Sequence, residues 1–105
     1  MCLLKLQAQH LYLSNELVAQ YFRETEQVIV AFIENGPHLL IAPAPAPVLI
    51  KVHPKASSRL LKLKNLQGDR TISLHDFFID YNLADTDKPL RFDFVEKLEA
   101  IKVAL

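Results

Sequence analysis

The sequence predicts an α+β, β-dominated fold in which two strand–short helix–hairpin halves interleave into one small barrel-like domain. Three observations point there. The chain has 105 residues, half of them hydrophobic and only two of them glycine, which suffices for one compact domain with a core and not for two. Most apolar residues alternate with polar ones, the period of a strand with one buried face. The pattern also repeats: Leu11, Leu13, Leu17 and Phe22 recur as Ile72, Leu74, Phe78 and Leu83 at a single offset of sixty-one. A unit of about 40 residues is too small to hide its apolar side alone, so two copies sharing a core is the simplest solution. The expected layout is one domain, 1–105, with pseudo-repeats at about 3–42 and 60–105 joined by a Pro-rich connector, 43–59.

Residues 3 to 13 alternate Leu4, Leu6 and Ala8 against Lys5, Gln7 and Gln9, then Leu11 and Leu13 around Tyr12, so they read as one strand bent near His10. Ser14 suits a helix N-cap, with Glu16 in the first turn where the helix dipole favours a carboxylate. Leu17, Val18, Tyr21 and Phe22 follow at helical spacing. "VIVAFIENGPHLLIA" reads as strand, turn at Asn35-Gly36-Pro37, strand. "PAPAP", 43 to 47, lacks amide donors at alternate positions and reads as an extended polyproline spacer. Val48, Ile50 and Val52 alternate with Leu49, Lys51 and His53 as a further strand, and "HPKASSR" reads as a loop or a single helical turn.

"RLLKLKNL" is the next strand, "QGDR" a turn and "TISL" the returning strand. Gly68 can take a positive φ at little steric cost, and Asp69 tolerates tight turns. "HDFFIDYNL" places Phe77, Phe78 and Tyr81 at helical spacing, with Asp76 near the start. "ADTDKP" is a polar break. Leu90, Phe92 and Phe94, then Ile101, Val103 and Leu105, give a final pair of strands turning near Glu96-Lys97.

Twelve basic and twelve acidic residues cancel, which removes any whole-molecule attraction for an anionic partner. The distribution is uneven. Residues 51 to 70 carry Lys51, Lys55, Arg59, Lys62, Lys64 and Arg70 against the single acid Asp69, whereas 71 to 105 carry seven acids against four bases. These six cations are the candidate nucleic-acid contacts, with Gly68 and Asp69 forming the turn beside them. Lys62 and Lys64 are two apart and share a strand face. If Arg70 joins them, three phosphates can be neutralised, or Arg70 can reach a guanine edge. The competing account is a solvated face, or lysines that guard an edge strand against unwanted pairing.

No catalytic or metal site is expected. His10, His38, His53 and His75 are dispersed, and Asp85-x-Asp87 runs into Lys88-Pro89 where a calcium loop needs further oxygen ligands and a glycine. No phosphate-binding glycine loop, nucleophile elbow or Cys-x-x-Cys pair is present. The reading is a non-enzyme without cofactor or small-molecule substrate. The single cysteine, Cys2, excludes an internal disulfide and suits a reducing cytosol. The longest apolar run, "LLIAPAPAPVLI", is twelve residues broken by three prolines, too short for a span. With no leader pattern at the start, a cytoplasmic protein without membrane partners is the expectation.

The segment "LQGDRTISLHDFFIDYNLADTDKPLRFDF" resembles the swapped-hairpin AbrB superfamily and its tandem form, the MraZ-like transcriptional regulators. Gly68 and Arg70 stand for the glycine and arginine of the family's strand-entry turn, with Asp69 between them, and Leu74 and Phe78 for its apolar strand-end and helix positions. Residues 5 to 41 match by pattern, with Gln9-His10 in the place of the Gly-Arg pair. The resemblance implies a small DNA-binding regulator that acts as a homo-oligomer on double-stranded DNA. The alternative is a non-catalytic β-rich interaction or oligomerisation module, with Phe77, Phe78, Phe92 and Phe94 as the side chains that would form its patch.

Overall fold

Leu4, Leu6, Leu11 and Leu13 are all buried in one core, yet they sit on two strands and not on one. The computed structural model describes residues 4–22, 25–33, 36–63, 68–80 and 87–105. Within them, β1 (Leu4–Gln7) turns back at once into β2 (His10–Leu13), with Gln7 opposite His10. The turn residues Ala8 and Gln9 both have positive φ, 50° and 62°. Two left-handed residues suit a two-residue hairpin, a job usually given to Asn-Gly. The absence of a glycine is why the sequence suggested a continuous bent strand.

Ser14 accepts from the Leu17 amide at 3.3 Å and opens α1 (Asn15–Tyr21), as the capping pattern requires. β3 (Gln27–Ile33) and β4 (His38–Pro43) form the next hairpin. The segment expected to be a polyproline spacer and a strand is different: Ala44-Pro45 is a turn, and α2 (Pro47–Val52) is a helix. Pro47 lies at the helix start, where a missing amide costs nothing and its fixed φ suits the first turn. The apparent alternation of Val48, Ile50 and Val52 came from the two flanks of this helix, and only Leu49 is buried. The expected loop or turn after it covers residues 53–56, and its last three residues, 57–59, belong instead to β5 (Ser57–Leu60).

The chain continues through β6 (Lys62–Leu63), β7 (Arg70–Ser73), α3 (His75–Asp80), β8 (Lys88–Pro89), β9 (Phe92–Val95), a 3-10 turn at Glu96–Leu98 and β10 (Ala100–Ala104). The short helix and the final hairpin lie where the periodicity put them. Cys2, Lys64, Tyr81, Leu83 and Asp85 lie outside the described residues.

The strands form two antiparallel sheets, in the order β6-β7-β2-β1-β8 and β5-β3-β4-β10-β9. The class is α+β and strand-dominated, as the sequence predicts; among the described residues no ladder closes the sheets into a barrel. Each sheet takes strands from both parts of the chain. In the first, Leu11 faces Ile72 directly, the pair related by the sixty-one offset. In the second, Ile41 faces Ile101. The strands β2 and β7 and the helices α1 and α3 all begin sixty apart, at His10 and Arg70 and at Asn15 and His75, so the elements repeat at sixty while the buried side chains of the strands repeat at sixty-one. One residue separates strand from helix in each half, and Leu74 occupies the place of Ser14.

The sheets enclose one core, with Leu17 and Phe22 from the α1 segment and Phe77 and Phe78 from α3. The second sheet is buried on its outer face too, where Leu49 of α2 meets Ile29, Ala31, Leu40, Ala42 and Ala100. Burial on both faces explains why β3 and β4 are almost wholly apolar. The small alanines let α2 approach the strands closely. The first sheet has the opposite character, with alternating polar residues outward and no described element packed upon them.

Candidate functional site

The ladder of the first sheet fixes which side chains share its outward face. Lys62 lies opposite Thr71, Thr71 opposite Tyr12, Tyr12 opposite Lys5, and Lys5 opposite Pro89. The neighbouring row is Ser73, His10 and Gln7. Residues directly opposite point to the same side of a sheet. The result is a polar face with a cation near each edge and an aromatic between them. The Lys5 ammonium lies 4.7 Å from the Tyr12 ring centroid, a cation–π contact. Gln7, Ala8, His10, Tyr12 and Thr71 line a shallow depression of about 400 Å³ on this face.

The turn at one end of the face is held from elsewhere in the chain. The Ala8 amide donates to Asp87 Oδ1 at 2.9 Å, and Gln9 carbonyl accepts from the Leu74 amide at 3.0 Å. His10 Nδ1 donates to the Ala8 carbonyl at 2.8 Å, and His75 Nδ1 donates to Gln9 Oε1. Those bonds compensate for two non-glycine residues in left-handed conformations, each costing about 1–2 kcal/mol. A His-to-carbonyl bond two residues back also closes the other hairpin, at His38 and Gly36.

The five candidate cations among the described residues are not brought together. Lys51 and Lys55 belong to α2 and the turn after it, over the second sheet. Arg59 is engaged by its own chain at the partly exposed edge of the second sheet: its Nη1 and Nη2 each donate to the Asp76 carboxylate at 2.6 Å, its Nε donates to Ser57 Oγ at 3.1 Å, and its guanidinium lies 4.5 Å from the Phe77 centroid. The Arg59 hydrogen bonds, opposed by partial burial, hold the Asp76 carboxyl below its ordinary value. Lys62 is on the polar face. Arg70 is not beside it, because Arg70 pairs with Leu13 and Leu63 while Lys62 pairs with Thr71. Arg70 therefore points to the core side, with its Nε buried and without a hydrogen-bond partner. Of the two turn residues, Gly68 has φ 95° and Asp69 accepts from the Asn15 amide at 2.7 Å and from the Tyr12 hydroxyl.

Sequence reasoning missed Lys5, His10 and Tyr12 as neighbours of Lys62. Their signal was present, since all three alternate with buried leucines, but the neighbour relation requires β2 and β7 to pair across about sixty residues. Of the four phenylalanines, Phe77 and Phe78 are buried, Phe92 is half-buried and Phe94 alone protrudes, 45% exposed. Phe94 stacks on Tyr21 at 5.2 Å.

No described helix is long and apolar enough to cross a membrane. No family model, no curated protein and no solved structure matches this chain.

Proposed function

We propose that this protein is a small DNA-binding regulator of the swapped-hairpin kind, oligomeric in use, which holds double-stranded DNA on the outward face of its first sheet. The observation that carries the reading is the row Lys62–Thr71–Tyr12–Lys5 on a face that no described element covers. Lys5 and Lys62 stand three strand spacings apart, roughly 14 Å, wide enough to touch separate phosphates. Between and beside them, Thr71, Ser73, Gln7 and His10 supply hydrogen-bonding groups for base edges. The carboxylates of Asp69 and Asp87, which border the sheet, are each engaged by a backbone amide.

The test is fluorescence anisotropy with a labelled duplex across a salt series. Two phosphate contacts give a log–log slope of roughly −1.8, and a third from Lys64 would bring it to about −2.7. Lys5→Ala and Lys62→Ala each reduce the slope by about 0.9. Lys51→Ala and Lys102→Ala, on other surfaces, leave it unchanged. Salt-independent anisotropy, or equal loss from the control variants, overturns the reading.

One observation favours the interaction module instead. β9 is an edge strand carrying the protruding Phe94, beside a groove of about 310 Å³ lined by Tyr21, Phe22, Pro43 and Ile101. If this edge joins copies or partners, Phe94→Ser lowers the mass seen by light scattering without changing duplex binding.

A further inference from the structure

The segment between Glu34 and Asp69 contains no acidic residue and five cations. Near its centre, α2 stands on the outer face of the second sheet through Leu49 alone, while Val48, Ile50 and Val52 are 39%, 41% and 54% exposed. Three large aliphatic side chains left outside on a six-residue helix require an explanation. We propose, contrary to the expectation from the sequence that there is no membrane partner, that α2 is a contact site for anionic phospholipid surfaces, with Val48, Ile50 and Val52 entering the acyl boundary and Lys51 and Lys55 meeting headgroup phosphates.

The geometry of the helix supports this directly. Successive residues turn by about 100°, so Lys51 lies about 200° from the buried Leu49 and points away from the protein. Val48 and Val52, one turn apart, flank it on one side, and Ile50 flanks it on the other. That arrangement suits a lysine whose stem lies among apolar groups while its ammonium reaches the headgroups. Leu60, 56% exposed, extends the apolar surface on the same side of the second sheet, since it shares the outward face with Ser58, which pairs with Ile29. The strands beneath α2, β3 and β4, carry no carboxylate to neutralise the lysines.

The other occupants fit less well. A second copy docked about a two-fold axis would bring Lys51 towards its own counterpart. A protein partner would be expected to meet aromatic or arginine anchors, and the exposed side of α2 offers only aliphatics and lysine. The contact is peripheral and weak, because one short apolar element with a small basic cluster gives marginal, reversible attachment.

The chain has no tryptophan, so Val52→Trp supplies a single reporter. With vesicles of phosphatidylcholine plus phosphatidylserine, its emission shifts to the blue, and with phosphatidylcholine alone the shift is much smaller. Sedimentation of the unaltered protein with the same vesicles gives a second readout. Lys51→Gln and Lys55→Gln each reduce the partition coefficient about fivefold, from about 1 kcal/mol per lysine near an anionic surface. Val48→Ser with Val52→Ser abolishes pelleting while leaving duplex binding intact. No blue shift, equal shifts on both vesicle types, or pelleting indifferent to the serine variants overturns the proposal. Retention only by an acidic polypeptide also overturns it.

Discussion

The Asp69 carboxylate lies 2.7 Å from the backbone nitrogen of Asn15, so the turn before β7 holds the first residue of a helix fifty-four positions earlier. The same carboxylate accepts from the Tyr12 hydroxyl. A counterpart exists at the other end of the antiparallel β2–β7 pair. Gln9, in the turn before β2, receives a hydrogen bond from His75, the first residue of α3. Each turn thus reaches the helix that follows the other central strand. The Gly-Asp-Arg stretch serves the fold first: glycine for the positive φ, aspartate for the clasp, and arginine turned towards the core.

Removing that clasp destabilises the protein. Asp69→Ala leaves a part-buried hydroxyl and a helix-terminal amide without their acceptor, at about 1–2 kcal/mol. The melting temperature falls by roughly 4–8 °C for each kcal/mol. Asp69→Asn keeps an acceptor for Asn15 and loses less. Calorimetry of the two variants decides; an unchanged Asp69→Ala melt contradicts the clasp.

The Ala8–Gln9 turn predicts a gain. Ala8 is exposed and has φ 50°, a conformation that glycine or asparagine adopts with less strain. Ala8→Gly relieves about 1–2 kcal/mol of strain and gives back up to about 1 kcal/mol through the freer unfolded chain. A small rise in melting temperature is the expected result. Gln9→Gly removes its bond with His75 as well, so it gains less or loses. Denaturant melts with unchanged slope separate the two outcomes.

Acid sensitivity should centre on Asp76. Its folded-state value is depressed by Arg59 below the ordinary 3.8, so its contribution is present above that value and is lost as pH falls through the lower, folded one. Half of the Asp76 side chain is exposed, and screening by solvent limits an ion pair of this kind to about 0.2–1 kcal/mol. Asp76→Asn removes this part of the acid dependence and leaves the rest. Urea melts from neutral pH to below 3.8 measure it. Arg59→Ala costs more than Asp76→Asn, because it also uncovers the Phe77 ring.

Much of the local architecture was legible in the chain because it depends on neighbours. Ser14 with Leu17, the Phe77–Phe78 helix and the final hairpin all follow from spacing within a few residues. What was not legible depends on distant partners. Arg59 looked like a surface cation because nothing in the sequence says that Asp76 closes on it. Ala8–Gln9 carries no turn signature, since its turn is enforced by Asp87, Leu74 and His75. α2 imitated a strand because its exposed flanks happened to be apolar, although Pro47 marked its first turn. The candidate face depends on the pairing of β2 with β7, and only that pairing brings Lys5 within reach of Lys62's row.

The account depends on each sheet being completed by strands from both parts of the chain, and the direct measurement is to divide the protein after Ala46. Produced separately, residues 1–46 and 47–105 should each lack amide dispersion and cooperative melting, and mixing them should restore both. A well-dispersed, cooperatively melting monomer from residues 1–46 alone would contradict it.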